Sequence, residues 1–345
     1  MAVKMEQVAL AGAEQAAMRG DYREAIETLL RVNRESRSGK LESELLNYRI
    51  RGAEGRDTAS VNWSADHDGR FDHVSGLPAV SRDELSVDSL RAGILGKGGL
   101  IVRGLLDEPR IDEARQCIRN ALKARMETAG AEAPAANPWY QRPESVAGGP
   151  VQFGSIGKDQ YTDTGSVWAV DSPPAAFSLI ELYKELGLPQ LLDGYFGEEA
   201  MLSVRKWVLR CVPPNNGAES GWHQDGQFMG ENIRTVNLWI ALSDCGEGAD
   251  APGIDIVADD TREIYETGTR GAVFDWTVGQ GLVDEIGEKH PIQRPRFRPG
   301  DAVFFDHFNL HRTGFGLQDV NLRYAVESWF FASSLAPDKQ QPLLF

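Results

Sequence analysis

Apolar residues change their spacing along this chain, and the changes divide it into elements. Through residues 3–55 the spacing is helical. Ala9, Gly12, Ala13 and Ala16 give a small-residue face, Ile26, Leu29 and Leu30 follow, and Leu41 to Arg51 forms a third helix after Gly39. Residues 56–84 are polar and rich in Gly and Asp, as expected of a linker crossing a surface. Ser86 is placed to cap a short helix, Gly98 to Arg103 reads as a strand, and Glu108 to Met126 carries Ile111, Ala114, Ile118, Ala121 and Leu122 on one helical stripe. Residues 128–150 are an irregular Ala/Pro/Gly loop. The stretch from Gly154 to Pro174, with Tyr161, Thr162, Asp163, Thr164 and Trp168, lines a pocket or merely covers the barrel. After two more helices, at about 175–186 and 188–196, the period becomes two. From Met201 to Val212, Arg205, Trp207 and Leu209 share one face, and Lys206, Val208 and Arg210 share the other. For the cations of this strand, Arg205, Lys206 and Arg210, reaching an anionic substrate or the cofactor competes with the commoner fate of solvent exposure. Further strands are predicted at Arg234 to Leu242, Ile254 to Ala258, about 301–306 and about 321–331, with a long Gly-punctuated insertion before Arg298.

Strands separated by long loops and preceded by helices predict a mainly β fold with helices. The expected core is a double-stranded β-helix (jelly-roll/cupin-like) spanning 85–345, with covering helices on one sheet. Residues 1–55 form an N-terminal appendage. There Gly20-Asp21-Tyr22-Arg23-Glu24-Ala25-Ile26 resembles the second half of one tetratricopeptide hairpin. One such unit is not an array, because about three are needed to bury a core. The hairpin is therefore expected to lean on the rest of the chain or on a second subunit as a homodimer contact, with peptide binding the alternative.

Composition narrows the partners. Formal net charge is −15, with 41% apolar and 25% charged residues. A surface that acidic repels phosphate backbones and anionic lipid, so neither nucleic acid nor a membrane is an expected partner. The three cysteines, Cys117, Cys211 and Cys245, are too few and too scattered for a disulfide framework or a zinc cluster. Met1 to Glu6 lacks a signal-peptide core and no run is long enough to span a bilayer, which predicts a cytoplasmic protein.

The chemistry centres on Gly221-Trp222-His223-Gln224-Asp225-Gly226. A His and an Asp two apart lie on the same side of an extended segment. With a distant second His they make the 2-His-1-carboxylate set, which leaves three positions open on Fe(II). His311 is the expected partner and His307 the rival. The two stand four apart, but the segment reads as a strand exit rather than a helix, and the Thr313-Gly314 that follows suits His311. His67, His73 and His290 sit in polar loops with no catalytic role expected. Arg323, in an alternating strand, needs an anion if it points into a small barrel, and its fork matches a dicarboxylate. Thr313 is placed to donate to the same carboxylate. Trp239 packs against that co-substrate or serves as ordinary core. Gln224, between the ligands, points away from the metal as a supporting donor.

On these residues the chain resembles the phytanoyl-CoA dioxygenase-like family of Fe(II)/2-oxoglutarate-dependent oxygenases, in a bacterial form. Trp222-His223-Gln224-Asp225 is similar to the family's HQD, Leu310-His311-Arg312-Thr313-Gly314 to its distal-His segment, Arg323 to its 2-oxoglutarate Arg, and Leu95 to Leu106 to its entry strand. The similarity covers roughly residues 85–335, with clear motifs only in the last third. It departs at Ile254 to Thr261, where many members carry a Gly-Ser-His turn, and this puts the substrate rather than the chemistry in question. The resemblance implies Fe(II) held by His223, Asp225 and His311, with 2-oxoglutarate as co-substrate bound by Arg323, Thr313, Trp239 and Gln224. It further implies O2 and a small-molecule substrate, with hydroxylation of a C–H bond and release of succinate and CO2. Desaturation, epimerisation and ring formation use the same ligands. A cupin-like metal-binding or sensing protein, or an adaptor acting through the N-terminal helices, are the alternatives. The first would have no need of a buried Arg323.

Overall fold

In the computed structural model, residues 2–59, 61–129, 137–141, 165–214 and 221–345 are described. Their β-strands form two sheets. The larger is built on β4 (Ala200–Val212), β5 (Thr235–Ala241), β8 (Ala302–Phe305) and β10 (Arg323–Ala332), in the order β8-β5-β10-β4, all antiparallel. At one end β2 (Leu100–Arg103) joins β8, and β1 (Ala79–Ser81), from within the 56–84 stretch, pairs with β2 in parallel. At the other end β3 (Ser166–Trp168) and β11 (Pro342–Leu343) both pair with β4. The smaller sheet is β7 (Ile292–Gln293), β6 (Gly253–Val257) and β9 (His311–Gly314), in the order β7-β6-β9. These paired sheets form the double-stranded β-helix.

Side-chain alternation decides what each face of β10 meets. Ala325, Trp329 and Phe331 point between the sheets, where Trp239, Val303 and Phe305 meet Ile254 and Ile256 of β6. Val326 and Phe330 point the other way, into a core shared with the covering helices α4 (Val87–Lys97), α5 (Glu108–Ala129), α6 (Pro173–Glu185) and α7 (Leu188–Phe196). Both faces of the large sheet are thus covered. On the helical side Trp207 donates to the Tyr183 hydroxyl at 3.1 Å, which is 2.6 Å from Ser328 Oγ, so these buried polar atoms are mutually satisfied. Ser86 caps α4 by accepting from Ser89 N at 3.1 Å, as its position predicts.

The turn into β8 needs Gly300. Its φ is +90°, and a Cβ there would sit 2.5 Å from the Leu106 carbonyl. Asp301 then ties the turn together, accepting from Arg103 Nη1 at 2.7 Å and from Gly104 N at 2.9 Å.

The N-terminal helices α1 (Ala2–Met18), α2 (Tyr22–Glu35) and α3 (Gly39–Ala53) lean on the chain's own end. Leu29, Leu41 and Leu45 pack with Met201 of β4 and with Leu344. Buried Arg49 donates to the Leu344 carbonyl at 3.1 Å, and Leu344 N returns a bond to Arg49 O at 3.1 Å. Burial pushes the Arg49 guanidinium down to about 10. Among the described residues no helix is long and apolar enough to cross a membrane.

Candidate metal centre

Two loops deliver the His and Asp side chains. His223 forms an antiparallel bridge with the first residue of β9, His311, through His223 N to His311 O at 2.9 Å and the reverse at 3.0 Å. Gly221 before it has φ +73°, and a Cβ there would meet Thr277 Cγ2 at 2.5 Å. The extended run expected through Asp225 ends one residue early. Asp225 lies at φ −68°, ψ −20° and leads into a single helical turn, α8 (Gly226–Met229). Its carboxylate meets the imidazoles because the chain turns there, not through strand periodicity alone.

Each imidazole is oriented through one nitrogen. His223 Nδ1 lies 3.1 Å from Gly221 O, and His311 Nδ1 lies 3.1 Å from Asn309 O. A carbonyl can only accept, so Nδ1 carries the proton on both rings and each Nε2 keeps its lone pair. The ring centroids are 4.5 Å apart, and His311 Nε2 stands 3.8 Å from Asp225 Oδ2. One atom from each of the three residues falls within 4.8 Å of the others. Burial lowers the His223 pKa to about 4, and His311 adds to that; burial likewise lowers His311. Burial alone would raise Asp225, but Lys206 and the two imidazoles outweigh it and hold the carboxyl well below its usual range. The centre therefore offers two neutral nitrogens and a carboxylate whose Oδ2 is buried with no hydrogen-bond partner. That donor set fits a divalent cation of the iron or zinc type.

The rival histidine is placed otherwise. His307 is fully buried, with Nδ1 2.9 Å from Thr235 Oγ1 and Nε2 3.2 Å from Glu231 O. Both ring nitrogens are thus engaged in the fold. A second cluster, Asp259, Asp260 and His290, has ligand-like spacing. Asp259 accepts there from Thr261 N at 2.8 Å and from the Tyr265 hydroxyl, and lies 3.4 Å from His290 Nδ1. It anchors its own loop.

Gln224 turns away from the ligands and joins two loops. Its Nε2 donates to Glu263 O at 2.9 Å and Phe308 O at 2.6 Å, while its Oε1 accepts from Tyr265 N at 2.7 Å. Gln224→Ala leaves three partly buried backbone groups without this partner. We expect a loss of about 1–3 kcal/mol in urea unfolding, together with faster proteolysis at 259–279.

Arg323 and Trp239 meet between the sheets. Arg323, only 1% exposed, donates from Nη1 to Gly253 O at 2.6 Å, and its Cζ lies 5.5 Å from the Trp239 ring centroid. Trp239 also packs edge-on against Phe297 at 5.1 Å, so it belongs to the core as well as to the arginine. Thr313 pairs with Ile254, the residue after Gly253, which brings its backbone next to the arginine's anchor. Tyr161, Thr162, Asp163 and Thr164, read as pocket-lining or covering residues, lie outside the described residues.

Two charged groups here escaped sequence reasoning. Lys206, for which solvent exposure was the commoner expectation, is 7% exposed and donates to Asp225 Oδ1. Glu327 of β10, also buried, accepts from Arg210 Nε at 2.7 Å. Aromatic rings close the centre: Phe305 lies 4.7 Å from His311, and Trp276 and Phe228 lie 5.8 and 6.4 Å from His223, all between centroids.

Residues 189–315 match the family model described as phytanoyl-CoA dioxygenase (PhyH). No curated protein matches the chain. Among solved structures the chain is similar to EctD from S. alaskensis, solved with 2-oxoglutarate and 5-hydroxyectoine. Identity is 14%, coverage 81% of this chain and 80% of that one, and TM-score 0.48. It is also similar to SnoK, a non-heme alpha ketoglutarate dependent carbocyclase from nogalamycin biosynthesis, at 16% identity, 74% and 87% coverage and TM-score 0.47. For SnoN, an epimerase from nogalamycin biosynthesis, the figures are 17%, 68% and 79%, and 0.42.

Proposed function

We propose that this chain, whose residues 189–315 match the phytanoyl-CoA dioxygenase family model, is an Fe(II)- and 2-oxoglutarate-dependent oxygenase. In this reading it hydroxylates an unactivated C–H bond of a small molecule, with release of succinate and CO2. The observation that carries the reading is the donor set of His223, Asp225 and His311, with ligand atoms within 4.8 Å of one another, Asp225 and His311 buried and His223 half-buried, and with Asp225 Oδ2 lacking a hydrogen-bond partner among the described residues. These three residues would hold the iron and leave half of an octahedral shell for co-substrate and O2. Iron with 2-oxoglutarate supplies the oxidising power when bound.

The chain's own residues orient and enclose. The two Nδ1–carbonyl contacts fix the planes of the imidazoles, so both Nε2 atoms face one point. Arg323 offers its guanidinium to the distal carboxylate of the co-substrate, with Thr313 donating beside it and Trp239 backing the fork. Phe228, Trp276 and Phe305 keep water from the imidazoles. Gln224 holds the surrounding loops without touching the metal. A carboxylate at Asp225 fills the place a halide would need, which favours hydroxylation over halogenation.

The test is anaerobic addition of Fe(II) and then 2-oxoglutarate. A visible charge-transfer absorption is expected in the native protein and not in His311→Ala. Admission of air with a panel of candidate substrates is then scored by succinate. Fe(II) binding with no such absorption at saturating 2-oxoglutarate would overturn the assignment.

A further inference from the structure

β4 carries Lys206 into the space between the sheets, where its side chain is 9% exposed and its ammonium bonds to Asp225 Oδ1. The same carboxylate's other oxygen, Oδ2, has no hydrogen-bond partner and is the one that faces His311 Nε2 at 3.8 Å. Lys206 Nζ also stands 5.6 Å from the centroid of Phe228, a ring that packs on His223. Burying an ammonium is costly unless specific partners repay it, and here the carboxylate it bonds to is a candidate metal ligand. A carboxylate can bind a metal through one oxygen or through both. With both it would take a position that a chelating co-substrate needs. An ammonium seated on Oδ1 leaves only Oδ2 to present.

We propose that Lys206 is a positioning residue of the metal centre. It holds Asp225 in place in the metal-free protein and confines it to a single ligand oxygen when metal is bound. The inference rests on the reading of His223, Asp225 and His311 as the metal site. It has a consequence with a definite sign, because a fixed positive charge beside a dication opposes metal binding. The lysine trades affinity for geometry. Removing it should loosen the empty site and tighten the filled one.

The experiment uses chelator-stripped, full-length protein with Mn(II) alone as probe. In Lys206→Met, we expect Mn(II) to bind about tenfold more tightly than in the native protein, since the repulsion is gone. The metal-free variant should melt below the native protein, and saturating Mn(II) should raise its melting temperature by more than it raises the native one. Co(II)-loaded Lys206→Met should show an altered visible spectrum, as replacement of a bound water by a second carboxylate oxygen requires, while Lys206→Arg should track the native protein in all three measurements. Should the Met variant not purify folded, Lys206→Gln, which keeps a donor and loses the charge, is expected to tighten Mn(II) in the same direction.

Equal loss of melting temperature with and without Mn(II), at unchanged Mn(II) affinity, would reduce Lys206 to a core ion pair and overturn the proposal. Weaker Mn(II) binding in a folded variant would also overturn it, and an unchanged Co(II) spectrum would overturn the single-oxygen assignment. Failure of the native protein to bind Mn(II) at all would instead sink the metal-site reading beneath it.

Discussion

Replacing His311 with alanine is expected to abolish Fe(II)-dependent turnover while the purified protein keeps its fold. The loss should exceed about a hundredfold, the upper range for groups that merely support a ligand. Little in the fold depends on this ring. Among the described residues its one side-chain hydrogen bond is to Asn309 O at 3.1 Å, and the bridge between residues 311 and 223 uses backbone atoms alone. His223→Ala should behave in the same way, since among the described residues its ring bonds only to Gly221 O. His307→Ala is the informative contrast. That ring is fully buried with both nitrogens engaged, so truncation leaves Thr235 Oγ1 and Glu231 O without it. It should cost about 1–3 kcal/mol of stability and leave metal binding intact. Thermal melts and Fe(II) titration of the three variants separate the outcomes. Retained iron in the His311 variant, with loss in the His307 variant, would show that the wrong histidine had been assigned.

Much of the candidate site was legible because its residues sit where local pattern is strongest. The H-x-D segment, the apolar run into β8 and the alternating strand of Arg323 are each short, bounded by glycine or polar residues, and clear in period. What stayed hidden is the direction of β4. Apolar residues occur on both faces of that strand, Trp207 and Leu209 on one and Val208 on the other, and all three are fully buried. Alternation then tells that Lys206, Val208 and Arg210 share a face but not which way the face points. The acids that settle the matter, Asp225 and Glu327, stand 19 and 117 residues from their partners in sequence, beyond any local reading. Gln224 illustrates the opposite case. Its position between two ligands already implied that it points away, and only the loops it would join had to come from the structure. The backbone turn at Asp225 was missed for another reason. Gly226 allows a close approach to His307 O, which a Cβ would reach at 3.0 Å, and that contact is tertiary.

Arg323→Leu is expected to raise the concentration of 2-oxoglutarate needed for turnover by roughly tenfold to a hundredfold, the worth of a buried, charge-assisted, forked contact. Among the described residues no carboxylate forms an ion pair with this guanidinium. It is held by the carbonyls of Gly253 and Pro252 at 2.6 and 3.4 Å, and its Nε has no partner. Burial pushes its pKa down to about 10, still far above neutrality, so it remains a cation in want of an anion. A dicarboxylate's distal end would meet that need. Arg323→Lys should fall between, keeping the charge and losing the fork. Fe(II) binding without co-substrate should be nearly unchanged in both variants, because Arg323 bonds to the β6 backbone and makes no hydrogen bond to the three ligands. The competing account makes Arg323 a structural tie between β10 and β6. On that account the Leu variant would lose stability and iron together, and its 2-oxoglutarate dependence, where measurable, would be native. A stable Leu variant that binds Fe(II) and responds to 2-oxoglutarate as the native protein does would remove Arg323 from the co-substrate site.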